Sequence, residues 1–291
     1  MSDSVPFQTA ALQRPRVAVV GDIMIDIDLH CVCTRLCQEG PWPVYHIQRL
    51  ERRLGGAGNV ARMVRALNAE ALLAGLVGCE PDPFPDHDGL HCGWISVPGQ
   101  TTTKTRLWVD GRLFGPRIDQ DLNASLESSA ALIDRVRDFA PAVIIIADHG
   151  KGAVTRALMI GLQRLDVPML VDPVVTTPMV DGTVCVGGRH EQPACEHQPT
   201  GRILKLGADG LLWEIDDESG SLRSRCRHLV DPLGAGDQFI AALAVRRSLG
   251  DTWPAAITYA NTAAGLQCER PGCDPVTELD VSDVSRLAAA S

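Results

Sequence analysis

Three short aliphatic runs, each ending in an aspartate, constrain this chain more than any other feature. They are Arg16-Val17-Ala18-Val19-Val20-Gly21-Asp22, residues 143–148 and Met169-Leu170-Val171-Asp172. A run that is apolar at every position is a strand buried on both faces. Strands of that kind belong to parallel sheets whose crossover helices cover both sides. The helices are legible between the strands: Val60, Met63, Val64 and Leu67 follow the i, i+3, i+4, i+7 stripe. Further helices are expected over 124–139, 155–165, 234–249 and 253–268. Strands at 72–77, 203–206, 211–215 and about 221–229 complete the alternation, while the proline-rich stretch 79–99 reads as loop. Two mixed segments, 27–52 and 101–120, break the rhythm. In the second, Asp110-Gly111 between strand-forming residues marks a tight hairpin. These segments are assigned to a small β lid. The expected architecture is a single α/β domain over 16–291, a three-layer sandwich around a mostly parallel central sheet, preceded by a disordered or loosely held stretch at 1–15.

Hydrophobic residues make up 45% of the chain and aromatics 4%, so aliphatic side chains must do most of the packing. A net charge of −9 argues against nonspecific binding to nucleic acid. No apolar run is long enough to span a bilayer, and the N-terminus lacks the apolar segment of a secretory signal. A cytoplasmic protein without membrane or nucleic-acid partners is expected. The ten cysteines do not show paired zinc-site spacing, and they read as reduced thiols used as small hydrophobes. The cluster of Cys185, Arg189, His190, Glu191, Cys195 and His197 matches no strong metal template either.

The stretch that carries chemistry is Asp231-Pro232-Leu233-Gly234-Ala235-Gly236-Asp237 at an expected helix start. Small residues let the backbone approach a ligand, and the unpaired first amides of a helix attract an anion. Asp237 in the first turn is placed to take a hydroxyl proton while Gly234, Ala235 and Gly236 cradle a phosphoryl group. A loop with a simple helix cap is the other reading of Gly-Ala-Gly-Asp alone.

This segment resembles the C-terminal signature of the PfkB (ribokinase) family of carbohydrate kinases, usually D-T-G-A-G-D. Gly55-Gly56-Ala57-Gly58-Asn59 resembles that family's G-G-x-x-N, and Gly21-Asp22-Ile23-Met24-Ile25-Asp26 fits its carboxylate strand. Two signatures in the family's order are far more specific than either alone. The resemblance implies a ribokinase-like fold, ATP as donor with Mg2+, and a sugar acceptor. It makes Asp237 the base and Gly234, Ala235 and Gly236 the anion hole. It sets Asp22, Asp26, Gly55, Gly56 and Asn59 on sugar hydroxyls, and Lys205, Gly207, Gly210 and Asn261 around the nucleotide. Pairing of two chains through the lid is implied by analogy alone.

Within the family the chain looks most like the D-glycero-D-manno-heptose 7-phosphate kinases. Glu39-Gly40-Pro41-Trp42-Pro43-Val44 is similar to their E-A-P-V-P-V, and Thr101-Thr102-Thr103-Lys104-Thr105-Arg106 to their T-I-T-K-x-R. Arg117-Ile118-Asp119 and Ala147-Asp148-His149-Gly150-Lys151-Gly152 match R-L-D and S-D-Y-x-K-G. A phosphorylated sugar makes sense of Lys104, Arg106, Arg117 and Lys151, and the implied product is a heptose 1,7-bisphosphate. Solvated ends of a lid strand are the other reading of Lys104 and Arg106. The chain departs from the pattern between Asp172 and Ile203, which is short and lacks N-x-x-E: Glu191 stands for the metal-organising Glu, but Gly188 takes the Asn position. A catalytically weak protein that binds sugar phosphate or nucleotide is therefore an alternative, as is a nucleoside or other small-molecule kinase of the same fold.

Overall fold

The computed structural model describes residues 14–80, 87, 89–122, 124, 129–193 and 199–289. Most of the N-terminal stretch expected to be loosely held, together with Cys195 and His197, lies outside the described residues.

In chain order the elements begin with β1 (Arg16–Leu36), β2 (Pro43–Gly56), α1 (Ala57–Ala66) and β3 (Glu70–Val77). Then come β4 (His91–Cys92), β5 (Ile95–Ser96), β6 (Thr102–Val109), β7 (Arg112–Leu113), β8 (Ile118–Gln120) and α2 (Ala130–Phe139). The middle of the chain forms β9 (Val143–Ala147), α3 (Arg156–Gln163), β10 (Met169–Asp172), β11 (Thr183–Gly188) and β12 (Gly201–Lys205). The last part forms β13 (Leu211–Ile215), β14 (Glu218–Leu222), α4 (Ala235–Ser248), α5 (Trp253–Cys268) and α6 (Glu278–Ala289).

The main sheet runs in the order β14-β13-β12-β11-β10-β9-β1-β3-β4. It is parallel from β12 to β4 and antiparallel only at the β12–β13 and β13–β14 edge. The aliphatic runs are continuous because both faces are covered. Val17, Val19 and Ile145 pack with α1, α4 and α5 on one side. Ala18, Val20, Ile144 and Ile146 pack with α2 and α3 on the other. Burying each such Ile or Val is worth roughly 1.5–3 kcal/mol.

β1 is one strand serving two sheets. Arg16 to Asp22 pairs with β3, whereas from Ile23 onward the strand pairs antiparallel with β2 and parallel with β6. β6 adds β7 and β8, which completes a lid over the carboxyl edge of the main sheet. The Asp110-Gly111 hairpin forms as expected, with both residues at positive φ, +51° and +77°. The elbow of β1 therefore sets the lid directly above the ends of the parallel strands.

Several expectations change. The strand expected at 221–229 is β14, ending at Leu222, because its partner β13 is only five residues long. The helix expected over 124–139 begins at Ala130. The stretch 79–99 contributes two short strands beside β3, and β11 and α6 were not anticipated. Among the described residues no helix joins β10 to β11 or β11 to β12. Met179 and Val180, each 4% exposed, instead fold under β10 and β11 and fill part of that layer.

Candidate active site

Two helices open at the carboxyl edge of the sheet with matching starts. α1 follows Gly56 and α4 follows Gly234, both glycines at positive φ, and neither helix end is capped by a side chain. A β-carbon on Gly56 would lie 2.5 Å from the Asp22 carbonyl oxygen, and one on Gly234 3.1 Å from Cys273 Sγ, so both turns demand glycine. The third residues of the two helices meet: Asn59 Nδ2 donates to Asp237 Oδ2 at 2.7 Å. Two positive helix ends thus converge on one carboxylate. Burial nevertheless pushes the Asp237 carboxyl up, with Asp172 adding to the rise, while Asn59, His149 and Lys205 pull the other way. The Ala235 amide donates to the Pro232 carbonyl at 3.3 Å; a carboxylate of raised proton affinity beside two helix starts without side-chain caps is suited to accept a hydroxyl proton next to a bound anion. Behind the turn, burial pushes the Cys273 thiol up to about 12, so it serves as packing.

The acidic residues of β1 have separate tasks. Asp22 is 3% exposed, and its oxygens accept the amides of His149, Lys151 and Ala153 at 2.8–3.0 Å. Its carboxylate thus folds the 149–153 loop, a task beyond the sugar contact that the resemblance implies. Asp26 accepts from Arg106 at 2.9 Å, and Asp28 from Arg53 at 2.6 Å and Trp108 Nε1 at 2.9 Å. A β-carbon on Gly55 would stand 2.6 Å from Asp26 Oδ2, so that turn fits around the carboxylate.

The lid cations are not equivalent. Arg117 is paired with Asp119 at 2.7 Å and Lys151 with Asp121 at 2.7 Å. Among the described residues Lys104 has no ion pair within 4 Å. Burial lowers its pKa; nearby Arg117 and Lys151 lower it further, against the pull of Asp26 and Asp119. An ammonium in that position gains by meeting an anion.

On the far side of Asp237 a cavity of about 800 Å3 lies between β12–β13 and the ends of α4 and α5. Lys205, Gly207, Gly210, Gly236 and Asn261 all line it, so residues picked from distant segments gather on one wall. Asn261 is 7% exposed and donates to the Arg223 carbonyl at 2.8 Å, holding the 223–227 segment that forms the cavity rim. Lys205 Nζ donates to Asp172 Oδ1 at 2.8 Å. Burial would lower the Lys205 pKa, but Asp172, Glu191 and Asp237 outweigh it and raise it. Glu191 Oε2 accepts the Gly188 amide at 2.6 Å, so half of its carboxylate is spent on the backbone. Among the described residues no three His, Cys, Asp or Glu side chains group as metal ligands. The donors present fit a magnesium that arrives on nucleotide phosphates and takes one carboxylate, not a resident all-protein site.

Asp148, Asp172 and His149 were not picked out in sequence as site residues. The first two could have been, since they end the other two aliphatic runs; Asp148 accepts Thr177 Oγ1 at 2.7 Å and the Gly150 amide at 2.8 Å.

A family profile described as pfkB family carbohydrate kinase matches residues 192–279. The chain is 27% identical to the D-beta-D-heptose 7-phosphate kinase of Bordetella bronchiseptica, covering 94% of this chain and 97% of that protein. It is 28% identical to the bifunctional protein HldE of Edwardsiella ictaluri over 94% of this chain, but spans 64% of that protein's length. The HldE of Azorhizobium caulinodans is 31% identical over 97% of this chain and 66% of its own. Among solved structures, phosphofructokinase-2 of Escherichia coli superposes with a TM-score of 0.76 at 13% identity, covering 96% of this chain and all of that one. Arabidopsis thaliana ribokinase, solved with ribose and ATP, superposes at 0.69 and 17% identity over 94% of this chain and 99% of its own. These likenesses show a ribokinase-like fold.

Proposed function

The chain belongs to the PfkB family of carbohydrate kinases, and we propose that it transfers the γ-phosphoryl group of ATP to a hydroxyl of a sugar phosphate. The acceptor we favour is a heptose 7-phosphate, phosphorylated at its anomeric hydroxyl to the 1,7-bisphosphate. The observation that carries this reading is Asp237, set where two uncapped helix starts meet between the lid and the cavity.

ATP lies in the cavity beside Gly207, Gly210 and Lys205, its phosphates directed toward the α4 amides. The acceptor lies under the lid with its phosphate on Lys104. Asp237 takes the proton from the acceptor hydroxyl as the oxygen attacks the γ-phosphorus, and the bond to the β-phosphate oxygen breaks to release ADP. Amides of Gly236 and Asp237 and the ammonium of Lys205 face the charge that develops on the transferred group. Asp172 and Glu191 are the carboxylates that would face a magnesium ion carried in on the nucleotide, which would supply neutralisation of charge on the phosphate oxygens. The apolar residues exposed on the lid support pairing of two chains there.

A second reading, a protein that binds sugar phosphate or nucleotide with little turnover, is favoured by the Glu191 carboxylate turned onto the Gly188 amide. A coupled ADP-release assay over heptose 7-phosphate, fructose 6-phosphate, ribose, fructose and adenosine separates the two. Turnover on a phosphorylated sugar, lost in Asp237→Asn, supports the kinase. Ligand-induced thermal stabilisation without turnover on any acceptor supports the binder.

A further inference from the structure

The loop after β9 carries a side chain with no role so far. His149 sits in a backbone fixed from two sides: Asp22 accepts the amides of residues 149, 151 and 153, and Asp148 that of Gly150. Both carboxylates are buried, so the loop amides are satisfied inside the protein. A loop anchored this way presents its side chain in one direction. That direction is set by the turn before α1, since a β-carbon on Gly56 would lie 3.1 Å from His149 Cδ2. The imidazole also stands close enough to Asp237 to act on its charge.

His149 Nε2 is nonetheless shielded and, among the described residues, has no hydrogen-bond partner. The same holds for Oδ1 of Asn59, a residue 3% exposed whose Nδ2 is engaged by Asp237. Two unsatisfied polar atoms, one an obligate acceptor and the other an imidazole nitrogen, therefore belong to the residue that bonds Asp237 and to a neighbour that acts on its charge. A single hydroxyl satisfies both if it donates to Asn59 Oδ1 and accepts from His149 Nε2–H. Burying unpaired polar atoms is costly, so they mark where a ligand supplies the missing bonds.

We propose that His149 is a substrate-binding residue which, with Asn59, takes the sugar hydroxyl next to the one Asp237 deprotonates, and so selects acceptors that carry it. This rests on the sugar-kinase reading. A site built around a hydroxyl rejects the deoxy analogue by up to ~10⁴-fold, because both partners are then left unpaired.

The test is kcat/KM of wild type, His149→Phe and His149→Gln on D-glycero-D-manno-heptose 7-phosphate and on its 2-deoxy analogue, with melting curves for all three. The wild type should prefer the hydroxylated sugar by orders of magnitude. His149→Phe should lose activity on that sugar while changing little on the analogue, so the preference collapses. His149→Gln, whose amide donates, should retain part of it, and it also provides the comparison if the Phe variant melts early. An undiminished preference in both variants, or an equal loss on both sugars, would overturn the assignment while leaving the kinase reading intact. A wild type that phosphorylates neither sugar would overturn the kinase reading and the His149 assignment together.

Discussion

Asp237 is held where its charge is disfavoured. Burial is the largest cause of its raised proton affinity, and Asp172 adds to it. A carboxyl with a folded-state pKa above its open-chain value weakens the fold at every pH where it is ionised, so removing the charge should stabilise. Asp237→Asn, which can still pair with Asn59, is expected to melt above wild type while turnover falls by ~10²–10⁴-fold. Differential scanning fluorimetry and ADP release check the two halves. The same shift fixes the sign of the pH profile. The base must be unprotonated, so kcat/KM should fall as pH falls, through a midpoint above the 3.8 of an ordinary aspartate. A midpoint at or below that value contradicts the assignment. Asp237 was legible in sequence because its neighbours in the motif are its neighbours in space. The work of Asp22 and the position of His149 were not, since the loop folds on one carboxylate from β1 and another just past the end of β9.

At the scale of elements the lid strands separate two cations that the sequence presents alike. Arg106 pairs with Asp26, and both side chains are 13% exposed, whereas Lys104 has no such partner among the described residues. Lys104→Ala should raise KM for a phosphorylated sugar about 10-fold or more, a lost charge-assisted contact, and leave the unphosphorylated sugar and the melting temperature nearly unchanged. Arg106→Ala should instead destabilise, by up to about 3 kcal/mol, because it strands Asp26. Steady-state kinetics on both sugars and urea melts distinguish the two; equal KM effects on both sugars in Lys104→Ala would contradict its phosphate role. The buried strands were readable from their unbroken apolar runs, with Ile144, Ile145 and Ile146 fully buried on alternate faces. β11 was missed because Gly187, Gly188 and the prolines beyond shorten its apolar run to three residues. The length of β1 could not be read either, as its outer half is a strand only through pairing with β2 and β6.

For the whole molecule, the lid has an outer apolar surface that the fold leaves uncovered. Leu36, Trp42, Ile47, Leu50, Leu113, Phe114 and Ile118 are each more than half exposed. Exposed apolar side chains of this kind support the proposed pairing through the lid, since a second copy offers the same side chains by symmetry. Light scattering should give twice the 31.2 kDa chain mass, and Ile47→Glu should shift the protein to monomer; a monomeric wild type at micromolar concentration would count against lid pairing. The trimmed stretch between β10 and β12 was visible in sequence as missing length, but the use of Met179 and Val180 as its substitute was not, since that depends on where the loop turns back. All of these scales meet in one claim, that the site joins a phosphoryl group to a sugar hydroxyl. 31P NMR of the protein with ATP, magnesium and heptose 7-phosphate tests it most directly. The γ-phosphate signal should be replaced by ADP signals and a new sugar-phosphate resonance coupled to the anomeric proton, in equal amounts. Growth of inorganic phosphate alone, or ATP left intact beside the unchanged sugar phosphate, would contradict it.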